Sequence, residues 1–321
     1  MRDAESKGDL MELPVAQLHT TDLTDTCPRR VLLRWEGKLL PHAPTALVRG
    51  MLAGSACRYM HESKQWEDPD AADAAMDYTC NQTEAYLEED ERIVTYSVEK
   101  NRDSMSKEVR LVLDRYIGRL GPLFAQTDLI GCETPCKMTL GGVEFASHTD
   151  LIVRDSGNAF GFGKGRLLVI DWKWRQEAPS KAYLARNMQF AVYWLMARKG
   201  QFLIDDWTGY VPIPDAHNAQ MIWLHLPNLK PYSRKTVTFD DKSEQREFLK
   251  GDDRPIRSVL KTTQYTEDDT SHVEQALLDR VNMYKAGFFP TVPEPNKCAL
   301  CEAESFCPRF DTTPLQGDLS K

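Results

Sequence analysis

Asp171 and Lys173 stand one residue apart at the end of Leu167-Leu168-Val169-Ile170, within the stretch LLVIDWKWR. Four consecutive apolar residues followed by a carboxylate and an ammonium describe a buried strand reaching its end. On a strand, positions i and i+2 project from the same face, so the two charges leave together. A second carboxylate, Asp150 in FASHTDLIVRD, adjoins the apolar pair Leu151-Ile152 one strand earlier. If those strands are neighbours, Asp150 and Asp171 converge with Lys173 beside them. Two carboxylates can hold a hard divalent cation such as Mg²⁺ or Mn²⁺ while leaving positions for water and a phosphate. A lysine there can orient or deprotonate the attacking water, or offset charge developing on the phosphate. The chemistry of such a trio is metal-assisted phosphodiester hydrolysis; the plainer alternative is an ion pair where a strand meets water.

The elements that would position these residues follow from periodicity and turn residues. The chain has 321 residues, 41% hydrophobic and 27% charged, as in ordinary globular proteins. No apolar run approaches the length of a membrane span, and the polar N-terminus MRDAESKGDLMELP resembles neither a secretory signal nor a transit peptide. The expected location is therefore cytoplasmic. The net charge of −8 excludes a protein coated in positive charge, but not a confined basic groove for nucleic acid. Residues 1–18 read as a loose leader and 19–120 as a helical region, with a first helix starting at 20–23 and ending near Cys27-Pro28, and others expected at 29–35, 45–63, 70–88 and 91–119. From Leu129 the pattern becomes strand-like. Residues 129–140 and 143–153 form a hairpin about Gly141-Gly142. The Gly-rich segment 156–166 leads to a strand at 167–174, then a helix at 182–198. Strands at 219–226 and 235–239 follow, then loop or short helix over 240–268, and a helix at 271–286. The fold class is α/β: one central mixed sheet flanked by helices, with a core over 121–289 and a Cys-rich tail over 290–321. Gly161 to Gly165 lacks the spacing of a phosphate loop and precedes a strand, so it reads as a hairpin connection. Trp172 and Trp174 must face away from Lys173, into the core.

The order Asp150, then Asp171-Trp172-Lys173 after an apolar strand, resembles the PD-(D/E)XK nuclease superfamily with its restriction-endonuclease-like sheet. Gln189-x-x-x-Tyr193 on the following helix resembles the motif of its RecB-like branch. The resemblance implies a metal-dependent deoxyribonuclease, specifically an exonuclease leaving 5′-phosphates. Asp150, Asp171 and the Trp172 carbonyl would ligate the metal, Lys173 would serve catalysis, and Gln189 and Tyr193 would support the site and the DNA. The branch adds a histidine from an early helix. His61 fits that place, with His148, two residues before Asp150, as its rival. Where the family usually has glycine, this chain has Cys57 and Ser147. A nuclease-like scaffold subunit with a degenerate site is the alternative reading.

Eight cysteines stand at 27, 57, 80, 132, 136, 298, 301 and 307. Cys298-x2-Cys301-x5-Cys307 brings three thiolates within reach of one metal centre, and a cluster needs a fourth. TTDLTDTCPRR resembles the cysteine element near the start of iron–sulfur members of this branch, which include CRISPR-associated RecB-like exonucleases and AddB-type nucleases. The resemblance implies that Cys27 joins Cys298, Cys301 and Cys307 around a [4Fe–4S] cluster, with Zn²⁺ in the same thiolates as the alternative. Cys57, Cys80, Cys132 and Cys136 read as ordinary thiols, the last two sharing a strand face by their even separation. Arg29, Arg30, Arg175, Lys181 and Arg186 are candidates for phosphate-backbone contacts. The implied partner is DNA, as single strands or duplex ends, with a helicase or integrase for members that act in assemblies.

Overall fold

The computed structural model describes residues 17–25, 27–39, 42–89, 93–95, 102–174, 178–204, 207–229, 234–238, 244–248, 256–292 and 307. The chain starts with a short strand, β1 (Gln17–His19), and passes through α1 (Thr20–Thr24) into α2 (Pro28–Trp35). Pro28 occupies the first turn of α2, where its missing N–H costs nothing and its fixed φ already suits a helix. Next come β2 (His42–Pro44), α3 (Thr45–Ser63), α4 (Ala71–Glu89), β3 (Ile93–Thr95) and α5 (Arg102–Phe124). The helix expected over 91–119 thus begins at Arg102, because 93–95 pairs in parallel with 42–44. Met105, Val109, Leu113, Tyr116, Leu120 and Phe124 line its buried side at helical spacing.

The long hairpin of β4 (Asp128–Leu140) and β5 (Val143–Asp155) turns at Gly141 and Gly142, whose φ values of 58° and 75° fit a turn that demands two left-handed residues. The strand β6 (Arg166–Lys173) returns antiparallel to β5. The Gly-rich connection between them is organised by the buried Asp155, whose carboxylate accepts the N–H groups of Ala159 and Phe160. The helix expected over 182–198 is two: α6 (Lys181–Ala185) and α7 (Met188–Lys199). Asn187 breaks it by accepting the Phe190 N–H at 3.0 Å, the competition with helix continuation that favours Asn at helix starts.

The remaining strands are β7 (Gln201–Leu203), β8 (Tyr210–Val211), β9 (Gln220–His225), β10 (Arg234–Thr238) and β11 (Glu244–Phe248). The stretch expected as loop or short helix carries the short helix α8 (Ile256–Val259) and, unexpectedly, β12 (Leu260–Thr263), which extends the main sheet. The final helix, α9 (Glu267–Lys285), starts at a Thr266–Asp269 capping box rather than at Ser271.

The main sheet runs β12-β9-β6-β5-β4-β7-β8, with β6 and β9 parallel and β1 pairing β5 in parallel. Each face is buried under helices. On one, α3, α4 and α5 cover Leu151, Val153, Leu168, Ile170 and Trp172; on the other, α7 and α9 cover Ile152, Val169, Met221 and Trp223. Cys136 belongs to the α7 side and Cys132 packs against the α3 side, so the two do not share a face. Glu133, between them at φ 46°, throws the strand out of phase. Among the described residues no helix is long and apolar enough to cross a membrane.

Candidate active site

Two ladders on one edge of β5 leave a notch. Pairing with β1 ends at His19↔Ala146, and pairing with β6 begins at Leu151↔Ile170. Residues 147–150 occupy the gap. Asp150 stands at its inner end, and its Oδ2 accepts the Trp172 N–H at 2.8 Å, fastening the carboxylate to the end of β6. Asp171 is 1% exposed and pairs through Oδ1 with Lys173 Nζ at 2.7 Å. Val169 lies in the α7-side core while Ile170 and Trp172 lie in the other, so alternation sends Asp171 and Lys173 towards α7. Trp172 faces away from Lys173, as its position in the alternation requires. Register sets Trp223 beside Asp171 and the buried His225 beside Lys173.

α7 supplies the opposing wall. Gln189 Nε2 donates to Tyr193 Oη at 2.9 Å, one helical turn apart. Burial, then the charges of Asp171 and Asp150, push the Tyr193 phenol well above its ordinary value, so it stays a hydrogen-bond donor. Asp150, Asp171, Lys173, Gln189 and Tyr193 are therefore brought together.

Glu133 joins them, and neither its type nor its neighbours marked it in the sequence. The pairs Cys132↔Leu151 and Thr134↔Thr149 set it opposite Asp150. Counting outward from the Gly141-Gly142 turn would have found it. Burial, then the Asp150 carboxylate, with Asp171 adding a smaller push, raise Glu133 to about 7 against the pull of Arg58 and Lys173. Burial also raises Asp150, opposed by Lys173 and the Trp172 N–H. Asp150 is partly exposed as a residue, yet its carboxyl is enclosed, and the enclosure governs its ionisation.

His61 is elsewhere. Its Nε2 lies 2.7 Å from Tyr116 Oη, and its ring meets Phe124 at 4.5 Å, Trp66 at 5.0 Å and Trp172 at 5.8 Å. Trp172 leaves β6 on the α3 side, so His61 lies across the sheet from the Asp171 carboxylate. Burial lowers its pKa to about 3. Cys57, one turn earlier on α3, is the residue whose thiol feels Asp150, after the larger effects of burial and Cys132. His148 stands at the notch and faces Tyr193 across a small cavity.

Arg30 pairs with Asp25 at 3.2 Å, and Arg34 pairs with Asp22 at 2.8 Å, so these cations brace the N-terminal helices. Arg29 lies on the same short helix, while Lys181 and Arg186 are exposed at the two ends of α6. Arg175, Cys298 and Cys301 lie outside the described residues. Cys27, the residue before α2, and Cys307 are part-exposed free thiols.

Among the described residues no three His, Cys, Asp or Glu side chains form a group that could hold a metal ion. The donor set fits a cation held by two carboxylates and completed by water and substrate phosphate, the usual coordination of Mg²⁺. The enclosed carboxyls of Glu133, Asp150 and Asp171 face Lys173 and an Arg58 already bonded to Glu62 at 2.8 Å, an excess of negative charge that a dication offsets. Residues 20–308 match the family model of the PD-(D/E)XK nuclease superfamily, and the chain belongs to that superfamily. A comparison with curated proteins gave no match.

Proposed function

We propose that this nuclease-superfamily member hydrolyses DNA phosphodiesters with Mg²⁺ or Mn²⁺ and works from strand ends, as an exonuclease of the RecB-like kind. The observation that carries this is the Asp171–Lys173 pair at 2.7 Å, on the α7 side of β6, with Asp150 fastened to the next residue of the strand. Asp150 and Asp171, with the Trp172 carbonyl, hold the cation, whose chemistry is to polarise the phosphate and lower the pKa of bound water. Lys173 orients the water that attacks phosphorus, and the O3′–P bond breaks to leave a 5′-phosphate on the product. Tyr193, kept protonated by its surroundings, donates to the strand, and Gln189 fixes its hydroxyl. Glu133 adds negative charge that strengthens cation binding.

The cysteine clasp belongs to the same reading: Cys27, Cys298, Cys301 and Cys307 hold a [4Fe–4S] cluster, or Zn²⁺ in the same thiolates. Packing of 280–290 on 22–35 supports it. Tyr284 donates to the Asp22 carbonyl, Arg280 to the Asp25 carbonyl, and Arg29 N–H to the Pro290 carbonyl. Phe289 packs against Trp35 at 5.6 Å. Cys298 follows Pro290 on a tether of at most about 28 Å, long enough to reach Cys27.

A second reading, a DNA-binding scaffold with a degenerate site, is favoured by one observation: His61 packs on Trp172, on the face of β6 opposite Asp171. The test is cleavage of end-labelled single- and double-stranded DNA by anaerobically purified protein with Mn²⁺, beside Asp171→Ala. Stepwise shortening by the wild type alone supports the exonuclease. Equal background from both proteins supports the scaffold.

A further inference from the structure

The notch at residues 147–150 opens into a cavity of about 290 Å³. β1 and α1 contribute His19, Thr20 and Thr24; β5 contributes Ser147 and His148; and Gln189 and Tyr193 close the side shared with the carboxylates. These groups are hydroxyls, imidazoles, a carboxamide and a phenol. Each brings an N–H or O–H donor, and among the described residues no carboxylate lines the space.

Thr20 points to a missing partner. The residue is 5% exposed, and its Oγ1 is buried without a hydrogen-bond partner. Buried hydroxyls are almost always satisfied, so one left open in the wall of a donor-lined cavity marks the place of an acceptor. His19 and His148 line the same space. An anion between the two rings can accept a hydrogen bond from each.

We propose that this cavity binds the terminal phosphomonoester of a nucleic-acid strand whose neighbouring phosphodiester lies over Asp150 and Asp171. The inference rests on the nuclease reading of the carboxylates. A phosphomonoester presents several acceptor oxygens, which these hydroxyl, phenol, carboxamide and imidazole donors can meet. The volume suits a phosphate with its sugar and is too small for a duplex. His148 precedes Asp150 by two strand residues, about 7 Å, so the cavity and the carboxylates lie within a nucleotide or two of each other along a strand. A strand end seated here therefore brings one of its first linkages to the metal-binding carboxylates. End recognition, and so exonuclease action, would follow from the early exit of β1.

The experiment uses fluorescent oligonucleotides ending in 5′-phosphate, 3′-phosphate or hydroxyl, with a circular single strand that has only internal phosphodiesters. Binding is measured in EDTA, and cleavage separately with Mn²⁺. One phosphorylated end should bind about tenfold tighter than its hydroxyl counterpart and the circle, the size of one charge-assisted hydrogen bond. Which end does so gives the polarity. Thr20→Val and His148→Gln should each reduce the preference to about twofold or less, while Thr20→Ser, which keeps the hydroxyl, should retain it. Thermal unfolding of each variant separates lost binding from lost folding. Equal wild-type binding to phosphate, hydroxyl and circular DNA overturns the subsite, as does a preference unchanged in folded Thr20→Val. Preferential binding without Mn²⁺-dependent cleavage instead overturns the nuclease reading and leaves the subsite standing.

Discussion

Replacing Glu133 with glutamine should make the metal-free protein more stable above pH 7 and leave it unchanged near pH 4. Glu133 titrates at about 7 in the fold against an ordinary 4.5, chiefly through burial and then the Asp150 charge. Below pH 4.5 the folded and unfolded chains both hold the proton, and the neutral side chain costs nothing electrostatic. Between 4.5 and 7 the unfolded chain has released a proton that the fold retains, so stability falls as pH rises; above 7 the loss is complete. At 1.36 kcal/mol per pH unit, the interval from 4.5 to 7 is worth about 3 kcal/mol. Residual solvent screening reduces this to about 2 kcal/mol. Glutamine copies the neutral form in shape, and both residues pay the same backbone strain at φ 46°, so the strain cancels. Urea unfolding in EDTA at pH 4.5 and pH 8 measures the difference. A gap equal at both pH values, or a wild type more stable at pH 8, would refute the electrostatic account. Mn²⁺ should narrow the gap at pH 8, because the cation offsets the charge the substitution removes.

Lys173→Met should lower the rate of Mn²⁺-dependent cleavage about 10²- to 10⁴-fold, the contribution of a positioned proton-handling group, and Asp171→Asn at least as much. Single-turnover kinetics on end-labelled DNA reads both, and wild-type rates in either variant would remove that residue from the site. His61→Phe should leave the Mn²⁺ concentration dependence of cleavage unchanged while costing about 1–3 kcal/mol, because the Tyr116 hydroxyl is left buried without its partner. His61 stays neutral in the fold down to about pH 3, so its contribution is present above 6.5 and is lost as pH falls below it. That acid dependence should weaken in the variant, and a shifted Mn²⁺ requirement would instead make His61 a ligand. Anaerobic wild-type protein should contain iron and inorganic sulfide in equal amounts, and Cys27→Ser should lose both. A colourless preparation containing only zinc would favour the alternative metal.

Much of the site could be read locally. The two-residue period of a strand fixes Asp171 and Lys173 on one face whatever surrounds them, and the four-residue spacing of Gln189 and Tyr193 fixes their contact on a helix. Gly141-Gly142 sets the hairpin, because few other residues accept two successive left-handed conformations. Glu133 and His61 show where local pattern stops. Glu133 belongs to the site through register across a hairpin, and its own left-handed backbone shifts the strand phase that would have been extrapolated to Cys132 and Cys136. The helix α3 buries Cys57, Met60 and His61 alike, so periodicity alone cannot say which of them meets the carboxylates. The notch, too, has no local mark, since it depends on where β1 leaves β5 and β6 joins it, more than a hundred residues apart in sequence. The sequence by itself determined the chemistry available and the pairs that one element holds together. The tertiary structure decided which elements meet, because that choice depends on long-range packing of buried faces that short-range spacing does not encode.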